Sequence, residues 1–317
     1  MFLGIDTSCY TTSMAVVDRE GNIICDHRKV LDVEKGQRGL QQSNAVFQHI
    51  KNIPIITEKL FSEVDSKNIQ ALAISYKPRP VKESYMPVFA AGINSGEVIA
   101  NTLGIKAYQT THQEGHLMAG FYPNKPFVES TFLAIHLSGG TSEVLKVKYS
   151  NQTCSFHEEI IGGSLDLHGG QFVDRVGVAL GLEFPCGKKL EEISRKSFEE
   201  KVKLTPWVKD CNFSFSGPES QAQRAINNGA KPEDVAMAVQ KCIASTILKI
   251  IVNSVQETGI TNILIVGGVA ANQFLRYKIM QYATRESIKV HFGMGKYCTD
   301  NGVGVALIAK EKALKKM

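Results

Sequence analysis

Two pairs of short apolar runs dominate the hydrophobic pattern. Phe2 to Ile5 and Met14 to Val17 flank one polar turn, and Phe132 to Ile135 and Val144 to Val147 flank another. Each unit reads as strand, tight turn, strand, a hairpin. The segment Phe2-Leu3-Gly4-Ile5-Asp6-Thr7-Ser8-Cys9-Tyr10-Thr11 aligns without a gap on Phe132-Leu133-Ala134-Ile135-His136-Leu137-Ser138-Gly139-Gly140-Thr141, with Phe, Leu, Ile, Ser and Thr coinciding. A repeated hairpin implies two similar lobes facing one cleft, each able to offer backbone N–H groups to phosphate.

The remaining pattern alternates helices and strands. Pro87 to Thr102 reads as a helix, followed by a strand at Lys106 to Tyr108. Glu219 to Asn227 and Glu233 to Glu257 have helical periodicity and no breakers, with Pro232 where a first turn tolerates it. Ile263 to Val266 has the β-branched content of a buried strand. Gly267-Gly268 then turns into a helix from about Asn272, and an apolar helix covers Val303 to Leu314 with Thr299 or Asp300 as its natural cap. Tyr122 to Pro126, with two prolines close together, reads as the link between lobes. The expected domains are a first lobe over 1–124 and a second over 125–300, with a helical insertion at about 164–250. The helix within 301–317 is expected to pack back on the first lobe.

A chain of 317 residues suits two such lobes. The net charge of +5 permits a phosphate-rich partner without the dense basic stripe of a dedicated nucleic-acid binder. Seven cysteines, none in a C-x-x-C pair, fit neither a disulfide framework nor a zinc finger and point to a reducing cytoplasm. No signal peptide is read at the N-terminus, and the run Ile263 to Ala271 is too short to span a bilayer, so no membrane association is expected.

The candidate chemistry begins with His112-Gln113-Glu114-Gly115-His116. Histidines four apart lie on one helix face and can converge on one metal ion. A zinc-peptidase helix needs Glu directly after the first His, where this chain has Gln113. The alternative is two surface histidines at a helix start. Ser138-Gly139-Gly140 after a buried strand lets backbone approach phosphate, or is an ordinary hairpin turn. Gly267-Gly268-Val269-Ala270-Ala271-Asn272 suits a ribose or phosphate at a helix N-terminus. Asp300 is a carboxylate ligand or a helix cap, Asp174 a site acid or a helix-surface acid, and Phe213 to Gly217 a half-buried strand with alternating faces.

Taken together, these motifs resemble the TsaD/glycoprotease-like family, whose characterised members are tRNA threonylcarbamoyladenosine synthases. The likeness covers nearly the whole chain: Gly4 to Cys9, His112 to His116, Ser138 to Gly140, Phe172 to Gly187, Phe213 to Gly217, Gly267 to Asn272 and Thr299-Asp300-Asn301. The resemblance implies an α/β fold of two actin-like, ribonuclease-H-like lobes of the ASKHA type, with a nucleotide cleft between them. It implies His112, His116 and Asp300 as ligands of a divalent metal. His136, Leu137, Ser138, Gly139 and Gly140 would lie near the phosphate or acyl group, Asp174 and Gly187 near the ribose, and Asn272 would hold the nucleotide from the second lobe. The implied reaction moves a threonylcarbamoyl group from threonylcarbamoyl-AMP to the exocyclic amine of an adenosine in tRNA. A smaller paralogous subunit and an ATPase subunit are the implied partners.

His136 occupies the repeat position of Asp6, where some relatives carry a tyrosine resembling a fourth ligand. A histidine there would complete a three-His, one-carboxylate site suited to Zn2+ or Fe2+. The chain departs from the family at Tyr10-Thr11, where an acidic pair is usual, and at Lys77 to Lys82, where a Gly-Pro-Gly loop is usual. It departs again at Cys186, which replaces the first glycine of a Gly-Gly pair. Lys77, Arg79 and Lys82 form either a basic edge for tRNA phosphates or a solvated loop. These departures leave two alternatives: a non-catalytic nucleotide-binding paralogue of the ATP, ADP or AMP-binding kind, and a carbamoyltransferase acting on a small molecule.

Overall fold

The computed structural model describes residues 1–8, 10–34, 39–81, 84–127, 131–198 and 201–315. Cys9 and Lys82 lie outside the described residues, as do the two final positions. The first sheet contains β1 (Phe2–Asp6), β2 (Thr11–Val17), β3 (Ile23–Val30), β4 (Ala71–Lys77) and β5 (Lys106–Thr111), in the order β3-β2-β1-β4-β5. Helix α1 (Gln42–Glu63) follows β3, α2 (Phe89–Leu103) joins β4 to β5, and α3 (His112–Phe121) follows β5. The second sheet opens with β6 (Phe132–Leu137), β7 (Ser142–Ser150) and β8 (Ser155–Gly163). A helical segment follows: α4 (Gly169–Ala179), α5 (Gly187–Ser194), the small hairpin β9 (Trp207–Lys209) and β10 (Asn212–Ser214), α6 (Ser216–Asn227) and α7 (Pro232–Thr258). β11 (Asn262–Val266), α8 (Gln273–Arg285) and β12 (Lys289–Phe292) complete a sheet ordered β12-β11-β6-β7-β8, and α9 (Val303–Leu314) follows.

The two sheets are copies of one plan, and the hairpins match residue for residue. Antiparallel pairing sets Phe2 opposite Val17 and Asp6 opposite Ser13; in the other lobe it sets Phe132 opposite Val147 and His136 opposite Glu143. The first strand of each hairpin then pairs in parallel with a later strand, β1 with β4 and β6 with β11. β1 and β6 are buried throughout, which is why both read as nearly continuous apolar runs.

Helices α3 and α9 join the lobes. α9 packs on β1, β2, β4 and α3, while α3 also touches β11. One apolar cluster therefore contains Phe2 and Ala15 from the first sheet, Phe132 and Leu264 from the second, and Leu117, Val305 and Ile308 from the two helices. Gly304 makes this crossing close: a Cβ there would overlap the carbonyl of Gly115, 2.7 Å from its carbon and 3.1 Å from Ala119 N. The long apolar helix α7 has the length and composition of a membrane span, but its Val235, Val239, Ile243, Ile247 and Ile250 are buried in the core of the second lobe.

Candidate functional site

His112 and His116 stand at the start of α3, one turn apart on one face. Thr111 caps this helix: its hydroxyl oxygen accepts from Glu114 N at 3.1 Å, and Glu114 Oε2 accepts from Thr111 N at 2.9 Å. Glu114 is thus committed to the cap, which removes it as a peptidase-type base. Asp300 approaches from the loop before α9. The sequence offered Asp300 or Thr299 as the cap of that helix, but Asn301 does the capping, its Oδ1 accepting from Val303 N at 3.0 Å and Gly304 N at 3.2 Å. Asp300 is left free to enter the cleft.

One ligand atom from each of His112, His116 and Asp300 lies within 4.8 Å of the other two. His112 Nε2 is 3.1 Å from His116 Nε2, and each of these nitrogens is 3.5 Å from Asp300 Oδ1. Behind them His112 Nδ1 lies 3.2 Å from Asp6 Oδ1. Asp6 is fully buried and is held by the hydroxyls of Ser75 and Ser8, the latter at 2.6 Å. A carboxylate behind a metal-ligating imidazole fixes its tautomer and aims Nε2 forward.

The charges follow from this arrangement. Burial opposes charge on His112, but Asp6 and Asp300 outweigh it and raise the imidazole to about 10. Burial also opposes charge on Asp300, yet His112 and His116 hold its carboxyl well below the ordinary range. Asp6 is lowered in the same way, against burial, chiefly by His112. Burial and the neighbouring His112 lower His116, and burial with His116 lowers His136 much further. The two carboxylates therefore favour the protonated form of His112, while burial favours the neutral forms of His116 and, beyond it, His136.

His136 lies at the end of β6 with its ring centroid 5.0 Å from that of His116, outside the three-residue group. Both its ring nitrogens are buried without a hydrogen-bond partner among the described residues, as is His116 Nδ1. Orphaned buried nitrogens are costly. A His136 nitrogen beside the His112, His116 and Asp300 donors fits a transition-metal ion, whereas His116 Nδ1, on the other side of its ring from Nε2, could not reach the same ion. Gly267, at φ +96°, gives the ring its room, since a Cβ there would lie 2.9 Å from His136 Cδ2. Asp6 and His136, at equal positions in the two hairpins, thus approach the same pair of histidines from opposite lobes.

The other predicted residues surround this centre. In the Ser138-Gly139-Gly140 turn, Ser138 Oγ accepts from Gly140 N at 3.3 Å and Thr141 N at 3.0 Å, so these N–H groups organise the turn itself. Leu137 is buried, leaving only its backbone to the cleft. Asp174 accepts from Cys186 N at 2.8 Å, and burial raises its carboxyl to about 6. Gly187 opens α5 beside it, with open space where a side chain would stand. Asn272 caps α8, its Oδ1 accepting from Leu275 N at 2.9 Å, while its amide donates to Gln240 at 3.1 Å. Both ends of its half-buried side chain are thus engaged within the protein.

Three residues of the site are absent from the sequence-based set. Asp6 could have been found by following the repeat from His136. Arg28 on β3 donates to Lys296 O at 2.6 Å, Thr299 Oγ1 at 3.1 Å and Asp300 O at 3.3 Å, anchoring the Asp300 loop; no local motif marks it. Glu143 on β7 accepts from Gln113 Nε2 at 2.8 Å and pairs with Arg79. Arg79, expected either on a basic edge or in a solvated loop, thus bridges the lobes, and Lys77 donates to Val81 O at 3.2 Å.

A sequence model of the family described as tRNA N6-adenosine threonylcarbamoyltransferase (TsaD) matches residues 29–307. Proteins of that name from Thermotoga neapolitana and Sulfurihydrogenibium sp. are 30% and 31% identical. The matches cover 98% and 96% of this chain and 94% and 88% of theirs. Among solved structures, an activator of 2-hydroxyisocaproyl-CoA dehydratase from Clostridium difficile with bound ADPNP is similar in fold. Its TM-score is 0.56 at 15% identity, over 100% of this chain and 97% of that one. Two duplicated lobes and an actin-like fold agree with that likeness, and the match over most of its length places this chain, a transferase of tRNA modification, in the tRNA N6-adenosine threonylcarbamoyltransferase family.

Proposed function

We propose that the chain transfers the threonylcarbamoyl group of threonylcarbamoyl-AMP to the exocyclic amine of a tRNA adenosine, at a divalent-metal centre formed by His112, His116 and Asp300, with His136 as fourth ligand. The observation that carries the reading is the convergence of those three side chains beside buried imidazole nitrogens that have no other partner. An ion held there supplies polarisation of the acyl carbonyl and offsets charge on the leaving phosphate.

The rest follows from the chain's own groups. Gly170 N donates to Ser138 O at 3.0 Å, so the N-terminus of α4 meets the Ser138–Gly140 turn. Gly169 N likewise donates to Ser142 Oγ at 2.8 Å, so it is the helix dipole rather than these engaged N–H groups that would favour the phosphate of an adenylate. Asp174 and the open face of Gly187 suit the ribose, and Asn272 supports the nucleotide through the start of α8 that it caps. Seating the mixed anhydride and the amine together in a closed cleft removes much of the entropic barrier. Association with a smaller paralogous subunit and an ATPase subunit, in the cytoplasm, belongs to the same proposal and is checked by co-purification.

The test is nucleoside mass spectrometry on tRNA from a strain deleted for this chain and for any other family member. Loss of threonylcarbamoyladenosine, restored by the wild-type chain and not by His116→Ala, is the expected result. Restoration by neither, with adenine-nucleotide binding intact in calorimetry, would refute transfer to tRNA and favour a nucleotide-binding role.

A further inference from the structure

We propose that Cys25, His27 and Glu63 form a second metal site, of the zinc class, at the outer edge of the first sheet. This inference is independent of the transfer reaction. β3 is the edge strand, and the two-residue period of a strand puts Cys25 and His27 on one face and Asp26 and Arg28 on the other. The face carrying Arg28 holds the Asp300 loop. Against the opposite face packs α1, which brings Glu63 from its last turn.

One ligand atom from each of the three residues lies within 4.8 Å of the other two. His27 Nε2 is 3.1 Å from Glu63 Oε1. Yet this nitrogen is buried and makes no hydrogen bond of acceptable geometry. Nitrogen and oxygen are therefore presented side by side, as two ligands of one ion are, rather than as donor to acceptor. Cys25 is 6% exposed and closes the inner side, whereas the Glu63 side chain is 51% exposed and leaves an entry for an ion and a completing water.

Thiolate, imidazole and carboxylate together favour zinc over magnesium or calcium, and three protein ligands leave a fourth tetrahedral position for water. Both Cys25 and His27 precede residue 29, where the family match begins. An ion here would tie the end of α1 to the strand whose other face anchors the Asp300 loop.

Cobalt distinguishes this site from the cleft, whose ligands include no thiol. Full-length protein, reduced and stripped with chelator, is titrated with Co2+ and then Zn2+. The expected result is a thiolate-to-cobalt charge-transfer band in the near ultraviolet, abolished by Zn2+, retained in His112→Ala and absent from Cys25→Ser. His27→Gln and the solvent-facing Glu63→Gln should weaken Co2+ binding by more than the roughly 10–100-fold that loss of an outer-shell partner costs. Circular dichroism of each variant confirms that it is folded. Should Cys25→Ser fail to fold, the Glu63→Gln affinity carries the test. No thiolate band in the wild type, a band that persists in folded Cys25→Ser, or unchanged affinity in Glu63→Gln would overturn the proposal.

Discussion

Gly304→Ala should damage the proposed metal centre without touching it. The added methyl would overlap the Gly115 carbonyl, 2.7 Å from its carbon and 3.1 Å from Ala119 N, where ordinary contacts are 3.4–4 Å. Those atoms are helix backbone and cannot rotate away, so α3 and α9 must part by on the order of 1 Å, at a cost of about 1–3 kcal/mol or more. His112 and His116 ride on α3, and Asp300 sits just before α9. Parting the helices lengthens the 3.5 Å separations between Asp300 and both histidines, whereas metal–ligand distances tolerate only about 0.2 Å. Thermal unfolding and metal titration of the purified variant should show both a lower Tm and weaker binding. Gly217→Ala is the control: its Cβ would meet nothing within 4 Å, so Tm and affinity should stay near wild type. Wild-type stability and metal affinity in Gly304→Ala would refute the close-crossing argument.

Metal affinity should rise with pH by about tenfold per unit between pH 7 and 9. His112, raised to about 10, is the one of the three proposed ligands held protonated by its neighbours, so binding should release that proton, and competition calorimetry checks this. Arg28→Ala should weaken metal binding about 10–100-fold, as outer-shell losses do, while leaving circular dichroism unchanged. Glu158, raised to about 8 by burial and then by Glu114 and Glu143, has both oxygens buried without hydrogen-bond partners among the described residues. Its folded-state pKa exceeds the unfolded one, so its penalty grows as pH rises from about 4.5 to 8. Glu158→Gln should then stabilise by on the order of 1–3 kcal/mol at pH 8 and by nothing at pH 4 in denaturant titrations.

Local patterning made much of the scaffold legible. The hairpin repeat was visible because β1 and β6 are buried on both faces and keep Phe, Leu and Ile at equal positions. Val303–Leu314 and the long helix before Gly259 were readable from apolar periodicity and the absence of breakers. Helix α1 was hidden because Pro54 stands inside it and its buried face includes His49 and Asn52. The roles of Asp300 and Asn301 could not be separated, since either acid or amide caps a helix and only the approach of His112 and His116 decides between them. Arg28, Glu143 and Asp6 act across sheet register and lobe packing, through contacts that join positions as distant as 28 and 300. Arg79 looked like a free cation because its partner Glu143 lies on the other lobe.

The placement of α9 imposes an order on biosynthesis. On the ribosome, β1, β2 and β4 emerge long before the helix that covers them, and every strand of the second sheet is made in between. A nascent first lobe must therefore wait with an apolar face uncovered, a condition that invites chaperone binding or misassembly. Asp300 arrives at the same late moment, so an ion cannot be gripped by the full ligand set until both lobes have been threaded together. At the proposed centre, metal capture would thereby be a check on completed folding rather than an early guide to it.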